Sequence, residues 1–279
     1  MARGMRVYVS IDMEGIAGIV HVDQTRRTGN DYDRARAWMT GEANAVIGAA
    51  FDAGAREVLV NDSHGDMRNL LLDELDARAE LVSGALKPLS MVQGAPGSEV
   101  ALFVGYHAGA GSRAGVLDHT YYGKVVTRCR VGGVDWNETA INAALCGEHG
   151  IPVALVSGDA TTCAQAQRHL GEVETVVVKE AVSRYAARSL LPATARERLR
   201  EGTARALGRF RAGAFRPFRP APPHTLEIDF VNSGCADAAE LVPGTRRTGG
   251  VSTAYDAASA TMLLQVIQAW TILAASTVV

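Results

Sequence analysis

Short apolar runs alternate with helical stretches through the first half of this chain, and this alternation limits the folds that it can adopt. Apolar runs typical of strands occupy residues 7–11, 56–60, 100–105 and 151–157. Helical spacing of apolar residues marks residues 32–53, which end before Gly54, a common helix terminator, and a second helix starts at Asn137. Strands that alternate with helices favour a largely parallel sheet. We therefore predict a three-layer α/β fold with helices on both faces of the sheet.

The pattern loosens beyond residue 158, where strands and helices no longer alternate regularly. There we predict helices at residues 161–170 and 183–210, the last broken at Pro192, and strands at 173–179 and 226–231. The alternating first half also includes a predicted helix at residues 70–77 and a predicted strand at 81–82. A proline-rich stretch at residues 215–223 is typical of a stiff connector. We predict an α/β core over residues 1–180 and a smaller C-terminal α+β part over residues 181–279, which completes the fold or forms a subunit interface.

Composition and charge exclude several classes of partner. The chain of 279 residues has 47% hydrophobic residues, a formal net charge of -2 and a sequence pI near 6.4. Its length and apolar content are ample for a buried core, and it has no basic stripe that would favour nucleic acid. Small or neutral substrates are expected instead.

An uncharged segment, residues 257–279, is long enough to cross a bilayer. Its polar residues are Ser259, Thr261, Gln265, Gln268, Thr271, Ser276 and Thr277. So many polar groups favour a buried or interface helix, and no membrane association is predicted. The four cysteines lack CxxC spacing, and the first residues lead into a strand without a signal-peptide apolar stretch. We therefore expect a cytoplasmic protein with reduced thiols.

The first apolar strand ends in two carboxylates, Asp12 and Glu14. Residues two apart project to the same side of an extended chain, so these side chains would repel each other. A bound cation, a shared proton or a nearby basic side chain can offset such repulsion. Because two later strands end near histidines, a cation is the interpretation that fits best.

Three further candidates lie where the other elements end or begin. His64 and His107 follow apolar strands, and Glu138 lies in the first turn of a predicted helix. Taken singly, Glu138 fits a helix cap, His64 a turn residue and His107 a satisfied core residue. In open α/β sheets, however, ligands collect at the carboxyl ends of strands. Together the two histidines and three carboxylates suit zinc or manganese, and five ligands suggest two ions.

Such a pair of ions predicts hydrolysis, since a hydroxide shared by ions about 3.5 to 4 Å apart can attack a carbonyl. His119 lies twelve residues beyond His107, across a glycine-rich loop. It is a candidate for proton transfer or for stabilising an oxyanion, and it could equally be a surface loop residue. Asp62 and Asp159 also follow strands, and each could support a ligand or only form a turn.

At these residues the chain resembles the DppA-type D-aminopeptidases of peptidase family M55. The family's Ser-x-Asp-x-Glu-Gly motif reads Ser10-Ile11-Asp12-Met13-Glu14-Gly15 here. Segments similar to those of the family follow in the same order: Val60-Asn61-Asp62-Ser63-His64, Gly84-Ala85-Leu86-Lys87-Pro88, Gly105-Tyr106-His107-Ala108, Asn137-Glu138, Val178-Lys179 with Ser183-Arg184, and Leu241-Val242-Pro243-Gly244-Thr245. The resemblance thus covers nearly the whole chain.

The resemblance implies a binuclear zinc aminopeptidase that releases N-terminal D-amino acids, such as D-Ala, from short peptides. The implied zinc ligands are Asp12, Glu14, His64, His107 and Glu138, with Asp12 as the bridge. Manganese or cobalt would also accept this ligand set. The resemblance also implies a homo-oligomeric ring whose active sites face an inner chamber, with a decameric ring as the candidate assembly.

The family's catalytic histidine corresponds to His119, although the loop before it departs from the family pattern. Arg113-Ala114 stands where the family has Thr-Pro, and the loop is about one residue longer. Two other functions remain open at this stage. One is a peptide-binding component of a dipeptide transport system, which would need export. The other is a two-metal amidase or phosphoesterase of different specificity.

Overall fold

The computed structural model describes residues 4–278, which form two β-sheets and seven α-helices. The strands in chain order are β1 (Met5–Ile11), β2 (Ala55–Asp62), β3 (Glu80–Val82), β4 (Val100–Tyr106), β5 (Val126–Val131), β6 (Val134–Asp135), β7 (Val153–Asp159), β8 (Glu174–Ser183), β9 (Ala186–Ser189), β10 (His224–Phe230), β11 (Arg246–Arg247) and β12 (Ser252–Ala257). The helices are α1 (Val22–Thr25), α2 (Tyr32–Asp52), α3 (Glu138–Glu148), α4 (Ala160–Leu170), α5 (Pro192–Arg211), α6 (Ser233–Ala239) and α7 (Ala260–Ala275).

The larger sheet has seven strands in the order β3-β2-β1-β4-β7-β8-β9. All neighbouring pairs are parallel except β8 and β9, which are antiparallel. The predicted, largely parallel α/β sheet is therefore confirmed. The chain moves outward from β1 to β2 and β3, and then returns to place β4 on the other side of β1. Strand order thus reverses between β1 and β4, and ligands of open α/β sheets bind at such a position.

Both faces of this sheet are covered by helices. Successive side chains of a strand point to opposite faces, so one strand contributes to a core on each side. Val7, Val9 and Ile11 of β1 belong to a core that also contains apolar residues of α2 and α5. Tyr8 of the same strand belongs to a second core, with residues of α3, α6 and α7. The three-layer arrangement follows from this alternation.

The smaller sheet is antiparallel, with strand order β11-β12-β10-β5-β6. Alternate residues of β10, Leu226 and Ile228, are buried in the same core as Trp270 of α7. Strands β5 and β6 precede residue 180, and β8 runs across it to Ser183. The division into residues 1–180 and 181–279 stays a prediction. Residues 1–3 and 279, at the two ends of the chain, lie outside the described range.

Two predicted helices are wrong in part. Residues 70–77 contain only a 3₁₀ turn at Leu72–Glu74. Side chains of α2 bind the backbone there, since Thr40 Oγ1 accepts from Leu71 N and Asn44 contacts Glu74 O and Asp76 N. These bonds satisfy backbone groups that a helix would pair internally.

The region 183–210 is helical only from Pro192 onward. Residues 186–189 instead form β9, which pairs with β8 as an antiparallel edge strand. Proline fits the first turn of a helix, where its missing N–H leaves no bond unmade, so Pro192 begins α5 rather than interrupting a longer helix. The sequence pattern of alanine and arginine did not distinguish the hairpin from the helix.

The uncharged C-terminal segment forms the predicted helix in part, since β12 ends at Ala257 and α7 covers Ala260–Ala275. Its last predicted residue, Val279, lies outside the described residues. In the described part of the chain, no helix combines the length and the apolar character that a membrane crossing requires. All four cysteines are buried and unpaired there.

Candidate metal centre

The segment after β1 is held against β4 by backbone hydrogen bonds. Asp12 N donates to Val104 O at 2.9 Å, and Gly15 N donates to Gly105 O at 2.8 Å. A Cβ atom at Gly15 would lie 1.9 Å from Tyr106 O, so only glycine permits this approach. The motif's glycine therefore fixes the backbone that presents Asp12 and Glu14.

The five predicted metal ligands converge at the reversal of strand order. His64 Nδ1 lies 3.2 Å from Asp12 Oδ1 and 2.9 Å from Glu14 Oε2. His107 Nε2 lies 3.4 Å from Asp12 Oδ2 and 3.3 Å from Glu138 Oε1. All five side chains are buried. Asp12 lies between two groups of ligands, because it offers one oxygen to each histidine.

Backbone carbonyls fix the orientation of three histidine rings at this centre. The contacts join His64 Nε2 to Thr25 O at 2.7 Å, His107 Nδ1 to Ala108 O at 3.0 Å, and His119 Nδ1 to Leu117 O at 2.9 Å. A carbonyl accepts only from N–H, so in each neutral ring the other nitrogen carries the lone pair. His64 Nδ1 and His107 Nε2 are then free to bind a metal, an arrangement common among histidine ligands.

The centre attracts positive charge strongly. Burial and the neighbouring Glu14 raise the pKa of Asp12 to about 7. Burial acts to lower the pKa of His107, but Glu138 and Asp12 outweigh it and raise that pKa to about 10. The pKa of His64 is also raised, because Glu14 and Asp12 outweigh its burial. A proton or a divalent cation can supply the charge that these carboxylates require.

The donor atoms fit a metal. Asp12 Oδ2, Glu14 Oε2 and His107 Nε2 are buried, and although other atoms of the cluster lie within 3.4 Å, none of the three forms a well-directed hydrogen bond among the described residues. Buried polar atoms are nearly always paired, so this group of unpaired atoms indicates a ligand. Carboxylate oxygens and imidazole nitrogens are also the donors that zinc accepts. Two sets of such atoms, each within 4.8 Å, are Asp12, Glu14, His64 and His107, His119, Glu138.

His119 lies closer to the centre than its separation in sequence suggests. Its ring stacks on that of His107, with 3.9 Å between the ring centroids and 10° between the planes. Burial and the nearby His107 lower the pKa of His119, which favours the neutral ring. Its Nε2 therefore offers a lone pair beside His107 and Glu138.

The loop that carries His119 contains three non-glycine residues in the left-handed region. The φ angles of Ala114, Leu117 and Tyr121 are 57°, 53° and 56°. Side chains usually disfavour this conformation, by about 1–2 kcal/mol per residue. A cluster of such residues persists only where surrounding contacts hold it, which often happens at functional sites.

Arg184, on the turn between β8 and β9, supplies several of those contacts. Its Nε lies 2.9 Å from Asp118 Oδ1, and its Nη2 donates to Asp118 O at 2.7 Å. Its carbonyl accepts from Leu117 N at 2.9 Å. Arg184 thus contacts Leu117 and Asp118, the two residues that precede His119. Sequence reasoning placed it only within a family-like segment, because nothing in the pattern indicated a contact 66 residues away.

Two other charged residues, Lys179 and Asp159, form hydrogen bonds to the backbone of the segments that carry Glu14 and His119. Lys179 Nζ donates to the carbonyls of Glu14, Ile16 and Ile19, the last two at 2.9 and 2.6 Å. Asp159 Oδ2 accepts from Val116 N at 2.7 Å, while Oδ1 caps α4 through Thr162 N. Asp159 therefore both forms a turn and steadies the His119 loop. Lys179 was not singled out as a site residue from the sequence.

Asp62, the other strand-end aspartate, binds its own loop rather than a ligand. It accepts from the backbone N–H groups of Asn69 and Leu70 at 2.5 and 2.8 Å. Asn69 Nδ2 in turn donates to Asp62 Oδ1 and to His64 O at 2.8 and 2.7 Å. Asp62 therefore forms a turn, and through Asn69 it also holds the backbone of His64 in place.

The centre opens into a cavity of about 730 Å³, a volume typical of small-molecule sites. Asp12, Glu14 and Glu138 line it together with the three histidines of the centre. Gln268 and Thr271 of α7 line it as well, and so do Arg26 and Lys124.

The fold and this centre define a class: an α/β protein with a buried carboxylate and histidine cluster at the carboxyl ends of its parallel strands. The sequence profile of the peptidase M55 family, D-aminopeptidase, matches residues 5–269. This chain therefore belongs to the M55 D-aminopeptidase family and is a peptidase, a hydrolase of peptide bonds.

A curated sequence and a solved structure, both from Bacillus subtilis, are similar over nearly the whole chain. A D-aminopeptidase from strain 168 is 40% identical over 254 residues, which cover 89% of this chain and 90% of that protein. A solved structure, the Zn-dependent D-aminopeptidase DppA, described as a self-compartmentalizing protease, has a TM-score of 0.94 and 37% identity. That match covers 99% of this chain and 100% of the other. The family resemblance inferred from the motifs is confirmed.

Proposed function

We propose that this protein is a binuclear zinc aminopeptidase that releases N-terminal D-amino acids, such as D-Ala, from short peptides. The observation that carries the proposal is the arrangement of Asp12, with one oxygen facing His64 and the other facing His107. A carboxylate between two groups of ligands fits a bridge between two ions. The similarity to a Zn-dependent D-aminopeptidase supports both the metal and the substrate class.

In this proposal Glu14 and His64 would hold one ion, His107 and Glu138 the other, and Asp12 both. When bound, the ions would supply an activated water and polarise the substrate carbonyl. The backbone bonds of the three histidines keep their rings in place during turnover. Tyr121 N, which donates to Glu138 Oε1 at 2.6 Å, orients that carboxylate.

His119 would accept a proton at Nε2 from the attacking water and pass it to the leaving amine. Leu117 O holds the N–H at Nδ1, so Nε2 is the free acceptor. Once protonated, the same nitrogen would donate to the oxygen of the tetrahedral intermediate. The depressed pKa keeps the ring neutral and able to accept the proton.

The test compares D-Ala-D-Ala with L-Ala-L-Ala on protein purified without added metal, with metal content measured on the same sample. We expect about two zinc ions per chain and cleavage of the D-peptide. If the zinc-loaded protein leaves D-peptides and D-Ala amides untouched, the proposed function is wrong. Manganese or cobalt in the sample would correct the metal alone.

The role of His119 is tested by His119→Ala with metal analysis alongside the rate. A proton-transfer residue leaves the metal content intact while kcat falls about 100-fold or more. Loss of one ion per chain would instead make His119 a ligand of the second group. His169→Ala is a matched control, since that histidine packs near Trp136 and belongs neither to the cavity lining nor to the two sets of donor atoms.

We also propose that the protein acts in the cytoplasm as a homo-oligomer, with a decameric ring as the candidate assembly. Four buried, unpaired thiols in the described structure suit a reducing compartment. The similar DppA is a self-compartmentalizing protease, which supports an assembly that encloses its sites. Light scattering on the purified protein measures the subunit number, and a monomer at working concentration would contradict this proposal.

A further inference from the structure

Two cationic side chains of the cavity have no partner within residues 4–278. Arg26 and Lys124 both line the cavity and are exposed. In the described structure, neither forms an ion pair or a side-chain hydrogen bond. Arg184, a third cation of the same cavity, is already bound to Asp118. Arg26 and Lys124 therefore remain available to an anionic group that enters the cavity.

These two cations flank the metal centre from different elements. Arg26 directly follows Thr25, whose carbonyl contacts His64 Nε2 at 2.7 Å. Lys124 directly follows Gly123, where a Cβ atom would lie 2.9 Å from His119 Cβ. One cation thus adjoins the Asp12, Glu14 and His64 group, and the other adjoins the His107, His119 and Glu138 group.

The cavity combines carboxylates at the centre with cations beside it, and a short peptide has the matching charges. Its N-terminal amine is positive and its C-terminal carboxylate is negative. An extended chain advances about 3.3–3.6 Å per residue, so the carboxylate of a dipeptide or tripeptide stays within roughly 7–11 Å of the amine. Long, flexible arginine and lysine side chains can meet the carboxylate over that range.

We infer that Arg26 and Lys124 bind the C-terminal carboxylate of the substrate and so favour dipeptides and tripeptides with a free carboxyl end. This inference rests on the proposed aminopeptidase function and adds a specificity determinant to it. Charge-assisted bonds to a carboxylate are stronger than bonds to a neutral amide, so a blocked peptide loses this contribution. Neither residue touches the scissile bond, and their effect falls on substrate binding.

The test uses Arg26→Gln, Lys124→Gln and the double variant with two matched substrates, D-Ala-D-Ala and its C-terminal amide. For the free acid we expect KM to rise about 5- to 20-fold in the double variant, with kcat nearly unchanged. For the amide, both constants stay close to those of the wild type. Added salt reduces the wild-type preference for the acid, because both cations are exposed.

Arg34→Gln is the control, since Arg34 on α2 is also exposed and lies outside the cavity. It should behave as the wild type with both substrates. Equal losses on acid and amide, no loss on either, or the same loss in Arg34→Gln would each overturn the inference. If the wild type cleaves both peptides and the Arg26 and Lys124 variants have the same KM and kcat as the wild type, the proposed function stands and this inference alone fails.

Discussion

The predicted metal ligands and the His119 loop lie side by side, but different contacts place them. Asp12, Glu14, His64 and His107 follow parallel strands, and the hydrogen bonds of the sheet bring them together. The loop over residues 109–123 has no such frame. Its conformation depends on Arg184 and Asp159, which reach it from separate parts of the chain, and on Asp118 within the loop, which accepts from Gly111 N.

The comparison shows two ways of building one site. Strand ends place ligands through regular backbone pairing, so their positions follow from the topology. The loop places one histidine through side-chain contacts that hold residues such as Leu117 in a conformation they would otherwise avoid. The ligand group should therefore fail through loss of metal, and the loop through loss of rate with the metal retained.

The largest expected effect comes from Asp12→Asn. This change removes the negative charge shared by both groups of ligands, so we expect metal content to fall and kcat/KM to drop about a thousandfold or more. Metal analysis and steady-state kinetics on one preparation measure both. Full metal content with full activity would exclude Asp12 as a bridge.

Arg184→Ala should separate the loop from the ligands. Losing its bonds to Asp118 frees the backbone that positions His119, so we expect kcat to fall about 10- to 100-fold with metal content unchanged. The neighbouring Arg188→Ala is the control, because within residues 4–278 the Arg188 side chain pairs only with the exposed Glu180. Loss of metal from Arg184→Ala would show that the two regions are not separable.

A pH-dependent effect is expected at Glu42, which lies in α2 behind the ligand segment. Its Oε1 accepts from Ala17 N at 2.9 Å, and burial raises its pKa from 4.5 to about 7. Between those values the folded protein holds a proton that the unfolded chain releases. The free energy of unfolding therefore falls as pH rises from about 4.5 to about 7.

Glu42→Gln removes this fall because glutamine does not ionise. Relative to the wild type, the variant should gain about 1–2 kcal/mol of unfolding free energy between pH 5 and pH 8. Denaturant unfolding at both pH values measures the gain, with Glu57→Gln at an exposed glutamate of β2 as the matched variant. An identical difference at both pH values would contradict the prediction.

The smallest expected effect is that of Ala114→Gly, which tests whether strain in the loop matters. Glycine removes the cost of the left-handed conformation at φ 57°, but it also increases the entropy of the unfolded chain. The two terms nearly cancel, so we expect unfolding free energy to change by less than about 1 kcal/mol and kcat to hold. A marked fall in kcat would mean that the strain itself positions His119.

Hydrophobic periodicity identified the strands and helices whose apolar side chains are buried in the core of the protein. The runs that became β1, β4 and β7 are apolar because both faces of the sheet are covered. Helix α2 ends at Asp52, just before Gly54, the residue predicted to terminate it. Patterns did not distinguish the hairpin of β8 and β9 from a helix. The pairing that decides it involves residues on two strands, which local spacing does not specify.

The sequence by itself determined the parallel sheet, the five candidate ligands and the family, because strand ends and the Asp12-x-Glu14-Gly15 motif are local features. Only the tertiary structure decided that Asp12 faces both histidines, that Arg184 grips the loop before His119, and that Arg26 and Lys124 flank the centre. Each of these relations joins residues distant in sequence. Distances across the folded chain depend on how whole elements pack, and local spacing carries no record of that packing.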